Sequence, residues 1–212
     1  MVNNWRKLTS KRELHDYKMT KKCYTIAKLS NRREGTERKS MKNLIFINGT
    51  MGVGKTAVSQ ELKRLLPACA FLDGDWCWDM DPFVVNAETK EMVQDNIVYL
   101  LNRFMSCSVY QNIVFCWVMH QPDILQHLLA RLNVGQWNLS CFSLLCSPDV
   151  LIRRIRRDIA AGKRTEDVLD RALSRLDNYK LMDTIHVETS DCTARQAAER
   201  IYGYLQGSSG IQ

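Results

Sequence analysis

A short apolar run, Leu44-Ile45-Phe46-Ile47, ends in Asn48 and leads at once into Gly49-Thr50-Met51-Gly52-Val53-Gly54-Lys55-Thr56. That octet has the form G-x-x-x-x-G-K-T. Val58, Leu62, Leu65 and Leu66 then recur at helical spacing until Pro67 stops the pattern. Strand, glycine loop and helix in this order confine the chain to folds in which a parallel strand feeds a helix through an anion-binding turn. Glycines permit torsions that side chains forbid, so successive N–H groups can turn inward around an anion. The helix beginning near Gly54 adds its positive end. Lys55 is placed to reach β- and γ-phosphates, and the Thr56 hydroxyl to ligate Mg²⁺. Residues Gly49, Thr50, Met51, Gly52, Val53, Gly54, Lys55 and Thr56 therefore predict a site for a nucleoside triphosphate with Mg²⁺.

Further strands and helices alternate after the loop. Cys69–Leu72 reads as a second buried strand, and Glu88–Cys107 as a long helix with Met92, Ile97, Leu100, Leu101, Phe104 and Met105 on its apolar face. Residues 112–118 form an apolar third strand. Pro122–Leu132 reads as a helix, Leu139–Cys146 as a strand, and Pro148–Ile159 as a helix with proline in its first turn. Ala161-Gly162-Lys163 breaks the pattern before a helix over Glu166–Met182, a strand over Ile185–Glu188 and a closing helix over Thr193–Leu205. Such alternation predicts a parallel, doubly wound α/β sheet. Ligands bind outside the carboxyl ends of strands in these sheets. Gly49–Thr56, Asp73–Trp78, Met119-His120-Gln121 and Ser147-Pro148 should then share one crevice.

Charge and cysteines narrow the function classes. The net charge of +7 is unevenly placed: residues 1–40 hold twelve Lys/Arg and four Asp/Glu, hence +8, leaving −1 for the rest. The domain after residue 40 is thus near neutral, and no nucleic-acid partner is expected for it. Residues 1–40 admit three readings: a solvated disordered extension, a basic arm for nucleic acid or anionic lipid, or sequence preceding a true start at Met41. The first and third are favoured, which puts the domain at 41–206 with a frayed tail at 207–212. No apolar run approaches the ~20 residues of a membrane span. The eight cysteines contain no C-x-x-C pair, so reduced thiols in a cytoplasmic protein, monomeric or homodimeric, are expected.

Asp73 and Asp75 flank Gly74 at the end of the second strand. Phosphoryl transfer needs a group that accepts the acceptor's proton and another that serves the metal. Asp75 is the candidate base, being farther from the strand, and Asp73 the candidate metal partner; the assignment between them stays open. The third strand carries no acid at its end, which argues against motor-type ATPases. Trp76, Trp78 and Phe83 offer flat surface for an acceptor or simply pack a lid. His120 follows the third strand and reads as a local hydrogen-bonding residue. Arg153, Arg154, Arg156, Arg157, Lys163 and Arg164 cluster between the fourth and fifth strands, with Arg171 and Arg175 beyond. A lid there would bring guanidinium groups over the transferred phosphoryl group, and Arg154, Arg157 and Arg164 are the candidates. Ser190, after the last strand, can lie against an adenine edge; an N-cap by Ser190 or Asp191 explains that loop equally well.

From Met41 to about Leu205 the chain resembles the small P-loop kinases of the nucleoside-monophosphate, shikimate and gluconate kinase type. The resemblance rests on Gly49–Thr56, on Leu72-Asp73-Gly74-Asp75, on the arginine-rich break at 153–164 and on Thr189-Ser190-Asp191. It is strongest to bacterial members known only as nucleotide kinases or ATP-binding proteins. The resemblance implies a three-layer P-loop NTPase fold with a five-stranded parallel sheet in the order 2-3-1-4-5. It also implies a closing arginine-rich lid, ATP–Mg²⁺ as donor and a small-molecule acceptor. The acceptor signatures of shikimate kinase are absent, so the acceptor stays open among nucleosides, nucleotides, sugars and antibiotic-like compounds. The rival expectation is an NTP-binding module that sequesters a ligand or regulates a partner without transferring phosphate.

Overall fold

A computed structural model describes residues 42–207. The expectations for residues 1–40, for a start at Met41 and for the tail beyond Gly207 lie outside the described residues. In chain order the elements are β1 (Lys42–Asn48), α1 (Lys55–Leu65), β2 (Cys69–Asp73), a 3-10 helix (Gly74–Trp78), α2 (Ala87–Ser106) and β3 (Asn112–Cys116). There follow α3 (Pro122–Ala130), β4 (Trp137–Leu145), α4 (Pro148–Ala160), α5 (Val168–Ser174), α6 (Leu176–Lys180), β5 (Ile185–Glu188) and α7 (Ala194–Leu205). All strand pairs are parallel, and the order is β2-β3-β1-β4-β5, as the resemblance implies.

The period-2 alternation of β1 builds two cores. Ile45 and Ile47 join Val58, Leu62, Leu151, Ile155 and Ala197 on one face, while Leu44 and Phe46 join Ile97, Leu101, Phe115 and Leu125 on the other. Leu44 through Ile47 are fully buried. Phe46 meets Phe115 edge-on at 4.8 Å. Truncating such a residue removes its transfer energy and leaves a void, a cost of about 3–5 kcal/mol. β1 is therefore a rigid platform, and the loop that leaves its carboxyl end inherits that rigidity.

Three expectations are corrected. The buried stripe of α2 runs through Val93, Ile97, Val98, Leu101 and Met105, so Met92 lies outside it and is 41% exposed. Glu166–Met182 is two short helices joined at Arg175, not one. The break has a packing cause. Val168, Ala172 and Leu176 belong to the first core, and Tyr179 and Met182 to the second. A straight helix presents one stripe, so the chain must turn at Arg175 to cross the sheet's carboxyl edge and reach both. Finally, α7 is capped by Thr193, in a reciprocal box with Gln196, rather than by Ser190 or Asp191.

Asn48 holds this edge together. It is 1% exposed. Its Oδ1 accepts from Gly49 N–H at 2.9 Å and from Met119 N–H at 2.8 Å. Its Nδ2 donates to the Met119 carbonyl at 2.8 Å and faces Met182 Sδ at 3.1 Å. Asn48→Ala would strip the Met119 N–H, the Met119 carbonyl and the Gly49 N–H of this partner inside the protein. The expected loss is about 3 kcal/mol or more, read as a lower denaturation midpoint in urea with an unchanged m-value.

Candidate functional site

Local conformation shapes the glycine loop before any side chain enters it. Gly49, Gly52 and Gly54 all have positive φ, at 146°, 80° and 107°. A Cβ on Gly52 would fall 2.5 Å from Ile155 Cγ1, so the loop lies flush against α4. Gly54 caps α1 without a side chain, and the first turn of α1 holds no acidic residue. The orphan N–H groups of that turn are thereby left for an anion. Lys55 is only 9% exposed and donates from Nζ to the Thr50 carbonyl at 3.1 Å. Its ammonium is turned inward over the loop, with Asp73, Asp75 and Arg164 close enough to act on its charge. Burial pulls its pKa down from the ordinary lysine value, and the two carboxylates oppose that pull.

The two aspartates have different surroundings. Asp73 Oδ2 accepts from the Thr56 hydroxyl at 2.7 Å, and its Oδ1 accepts from Asp75 N–H at 3.1 Å. Thr56 and Asp73 thus place a hydroxyl and a carboxylate together at the mouth of the loop. These hard oxygen donors suit Mg²⁺. Asp75 touches neither of them by its carboxylate. It opens onto the crevice and accepts a hydrogen bond from the Trp117 side chain. Enclosure by protein raises its pKa above the ordinary carboxylate range, while Lys55 draws it down. Gly74 makes this geometry possible, because a Cβ there would lie 2.5 Å from the Trp117 ring.

The arginines separate as well. Arg154 is tied by its guanidinium to the Val53 carbonyl at 2.9 Å, the Thr189 carbonyl at 2.6 Å and Thr189 Oγ1 at 3.2 Å. It fastens the glycine loop to the end of β5. Arg157 is exposed, with no side-chain hydrogen bond or ion pair among the described residues. Arg164 pairs with Asp158 at 3.1 Å and acts on the charges of both Lys55 and Asp75. Of the three candidates, Arg164 is the one brought to the aspartates. Ser190 Oγ accepts from Ser147 N–H at 2.8 Å and donates to Glu188 at 2.6 Å, which joins the β5 loop to the start of α4.

Trp76 is 56% exposed and meets Phe71 edge-on, whereas Trp78 tilts against Phe83 at 6.0 Å. A shallow recess of about 480 Å³ opens between the 3-10 helix and α2, with Trp76, Met80, Met92 and Tyr99 in its wall. It lies on the α2 flank, and Lys55 is not among the residues that line it. Sequence reasoning missed Asn48 and Trp117. The first was signalled only by a polar residue closing an apolar strand, and the second only by a glycine across from it. Burial keeps the thiol of Cys116, at the acid-free end of β3, protonated, with its pKa pushed up to about 12. The seven described cysteines form no disulfide. No helix among the described residues is long and apolar enough to cross a membrane.

This geometry agrees with what comparison finds. The family described as AAA domain matches residues 45–186. No protein of curated function matches the sequence. Among solved structures, the chain is similar to a tunicamycin resistance protein of Deinococcus radiodurans, with TM-score 0.58 and 20% identity over 77% of this chain and 95% of that one. It is similar to a gluconokinase of Sinorhizobium meliloti 1021, with TM-score 0.53 and 18% identity over 80% and 99%. A shikimate kinase of Acinetobacter baumannii, solved with shikimate, gives TM-score 0.56 and 20% identity over 80% and 95%. The chain belongs to the AAA domain family and has the fold of the small P-loop kinases.

Proposed function

We propose that the protein is an ATP-dependent kinase that phosphorylates a hydroxyl of a small molecule. The observation that carries this reading is the division of labour between Asp73, bonded to Thr56, and Asp75, left facing the crevice beside Lys55. The triphosphate lies on Gly49–Thr56, with Lys55 turning from the Thr50 carbonyl to the β- and γ-oxygens. Thr56 and Asp73 would hold Mg²⁺. When bound there, the ion supplies positive charge to the phosphates. Asp75 orients the acceptor hydroxyl and accepts its proton as the new O–P bond forms. The bond from the γ-phosphorus to its bridging oxygen breaks, and ADP keeps that oxygen. Lys55 and Arg164 stabilise the charge that builds on the phosphoryl oxygens. Arg154 positions the loop through Val53 and does not touch the reacting atoms.

A second reading has its own support. β3 ends in Cys116 where many P-loop proteins place an acid, and one of the similar structures is that of a tunicamycin resistance protein. On that reading the protein binds a nucleotide and a ligand without transfer. Substitutions separate the two. Lys55→Ala should lower ADP formation by about 10²–10³ under either reading that uses nucleotide turnover. Asp75→Asn should cost about 10²–10⁴ in acceptor-dependent turnover if Asp75 is the base, with ATP affinity retained. Full function in Asp75→Asn with none in Lys55→Ala would instead favour the binding module.

The pH profile gives an independent check. The ionised carboxylate is the active form, and a raised pKa keeps Asp75 protonated to higher pH. Activity should therefore climb with pH through a limb lying above the ordinary aspartate value of about 4, and Asp75→Asn should abolish that limb. A limb at or below the ordinary value would assign the base elsewhere.

A further inference from the structure

One stripe of α2 has no part in the chemistry above. Met92, Asn96 and Tyr99 recur at helical spacing beside the buried stripe, and Tyr99 is 64% exposed. With Trp76, Asp79 and Met80 from the segment after β2, they wall the recess of about 480 Å³. That volume is in the range of small-ligand pockets. Neither Lys55 nor Asp75, Trp117 or Arg164 lines it, so it stands apart from the phosphate loop. Large apolar side chains left bare together on one flank mark a surface that something covers. Trp76 is held without being covered. Its ring makes a T-shaped contact with Phe71, with centroids 5.3 Å apart, while more than half of the residue stays exposed. An aromatic ring fixed in advance costs little to order when a ligand arrives.

Charge selects the ligand. Asp79 is the charged residue of the wall. It is exposed, and its side chain has no hydrogen bond or ion pair among the described residues. Residues 75–96, the stretch that runs from the 3-10 helix into α2, carry six acids against one base, Lys90. Of those acids, Asp95 is engaged by Arg131. Negative charge is thus concentrated along the segment that walls the recess, in a domain that is otherwise near neutral. Two aromatic rings, two thioethers and an unpaired carboxylate suit an alkylated ammonium group. The rings attract it by cation–π contact, the sulfurs by dispersion and the carboxylate by charge. An anion meets repulsion at the same place, and a neutral ring gains stacking alone.

We infer that the recess between the 3-10 helix and α2 is a binding site for a small organic cation with a flat apolar body, held by Trp76, Tyr99 and Asp79. The inference does not rest on the kinase reading, since no residue of the phosphate loop takes part. Trp76 and Tyr99 supply the aromatic surface, and Asp79 supplies the counter-charge. Met80 and Met92 adapt to the shape of the body between them. Asn96, whose side chain has no hydrogen bond among the described residues, offers one directional contact.

Three benzyl compounds of different charge test the idea: benzyltrimethylammonium, 2-phenylethanol and phenylacetate. Each is titrated into nucleotide-free protein carrying ¹⁵N-tryptophan, with the Trp76 indole resonance assigned through Trp76→Phe. Benzyltrimethylammonium should shift that resonance saturably, with a Kd about tenfold below those of the other two. High salt should narrow this preference. Tyr99→Ala and Asp79→Asn should each raise the Kd for the cation about three- to tenfold, whereas Tyr99→Phe, which keeps the ring, should stay within about twofold. Lys55→Ala should bind the cation as wild type does, whether or not the protein proves to be a kinase. Equal affinity for all three compounds, preference for phenylacetate, or a shift at Trp117 in place of Trp76 would overturn the proposal. So would a dimer in sedimentation that Tyr99→Ala dissociates and benzyltrimethylammonium leaves intact, since that result gives the face to a second copy of the chain.

Discussion

One buried amide side chain sets the geometry of the whole crevice. Asn48 closes β1, and through four contacts it fixes the first N–H of the glycine loop, the chain after β3 and the chain after α6. Each of these segments is irregular backbone, and each would otherwise need water or its own partners inside the protein. A single asparagine can do this because its side chain offers two donors and an acceptor with two lone pairs. Aspartate lacks the donors, and leucine lacks everything except shape. The loop, the His120 segment and the Arg175 break are thus coupled through one residue that need not touch any ligand.

Electrostatics then impose a second constraint. Lys55 is buried with its charge acting on Asp73, Asp75 and Arg164. An ammonium removed from water is costly unless something compensates it. In this arrangement the compensation comes from one loop carbonyl, to which Nζ donates, and from the more distant charges of two carboxylates. That is a weak set for a cation at this depth. On the proposed reading a triphosphate would bring stronger partners and complete the charge balance of the loop instead of disturbing it. Arg164 has the same character. Its Asp158 pairing is partly exposed, and pairs of that kind contribute at most about 1 kcal/mol. On the proposed reading the arginine would leave that pair for a phosphoryl group at small cost.

Much of this was legible in the residues. The octet from Gly49 to Thr56 predicts its own loop, because few other structures use glycines, lysine and threonine at that spacing between strand and helix. The unbroken apolar run Leu44–Ile47 reads as the first strand of a parallel sheet, and Pro122 and Pro148 mark helix starts. What failed depended on tertiary alternatives that a local pattern cannot express. Glu166–Met182 carries a good helical period, yet the two cores lie on opposite faces of the sheet, and only a break at Arg175 reaches both. At the start of the α2 stripe Met92 and Val93 are both apolar, and packing alone chooses Val93. Arg154, Arg157 and Arg164 look alike in sequence. Their partners, not their spacing, separate a loop fastener from an exposed side chain and from a group near the aspartates.

Gly74 shows how a local permission becomes a division of chemical labour. Without a side chain at that position, the Trp117 ring lies against the 3-10 helix where a methyl group would clash. The ring then donates to Asp75 and leaves Asp73 to cap the same helix and bond Thr56. Two carboxylates separated by one residue would ordinarily compete for the same surroundings and repel each other. Here one is drawn to the hydroxyl at the start of α1, and the other is held by the indole that directly follows β3. Burial raises the pKa of Asp75 while Asp73 is engaged by Thr56, an arrangement that suits the proposed split between proton acceptor and metal partner. The D-x-D step is a weak signal in the sequence because this separation is not a property of the two aspartates. It belongs to the glycine between them and to the tryptophan that the glycine admits.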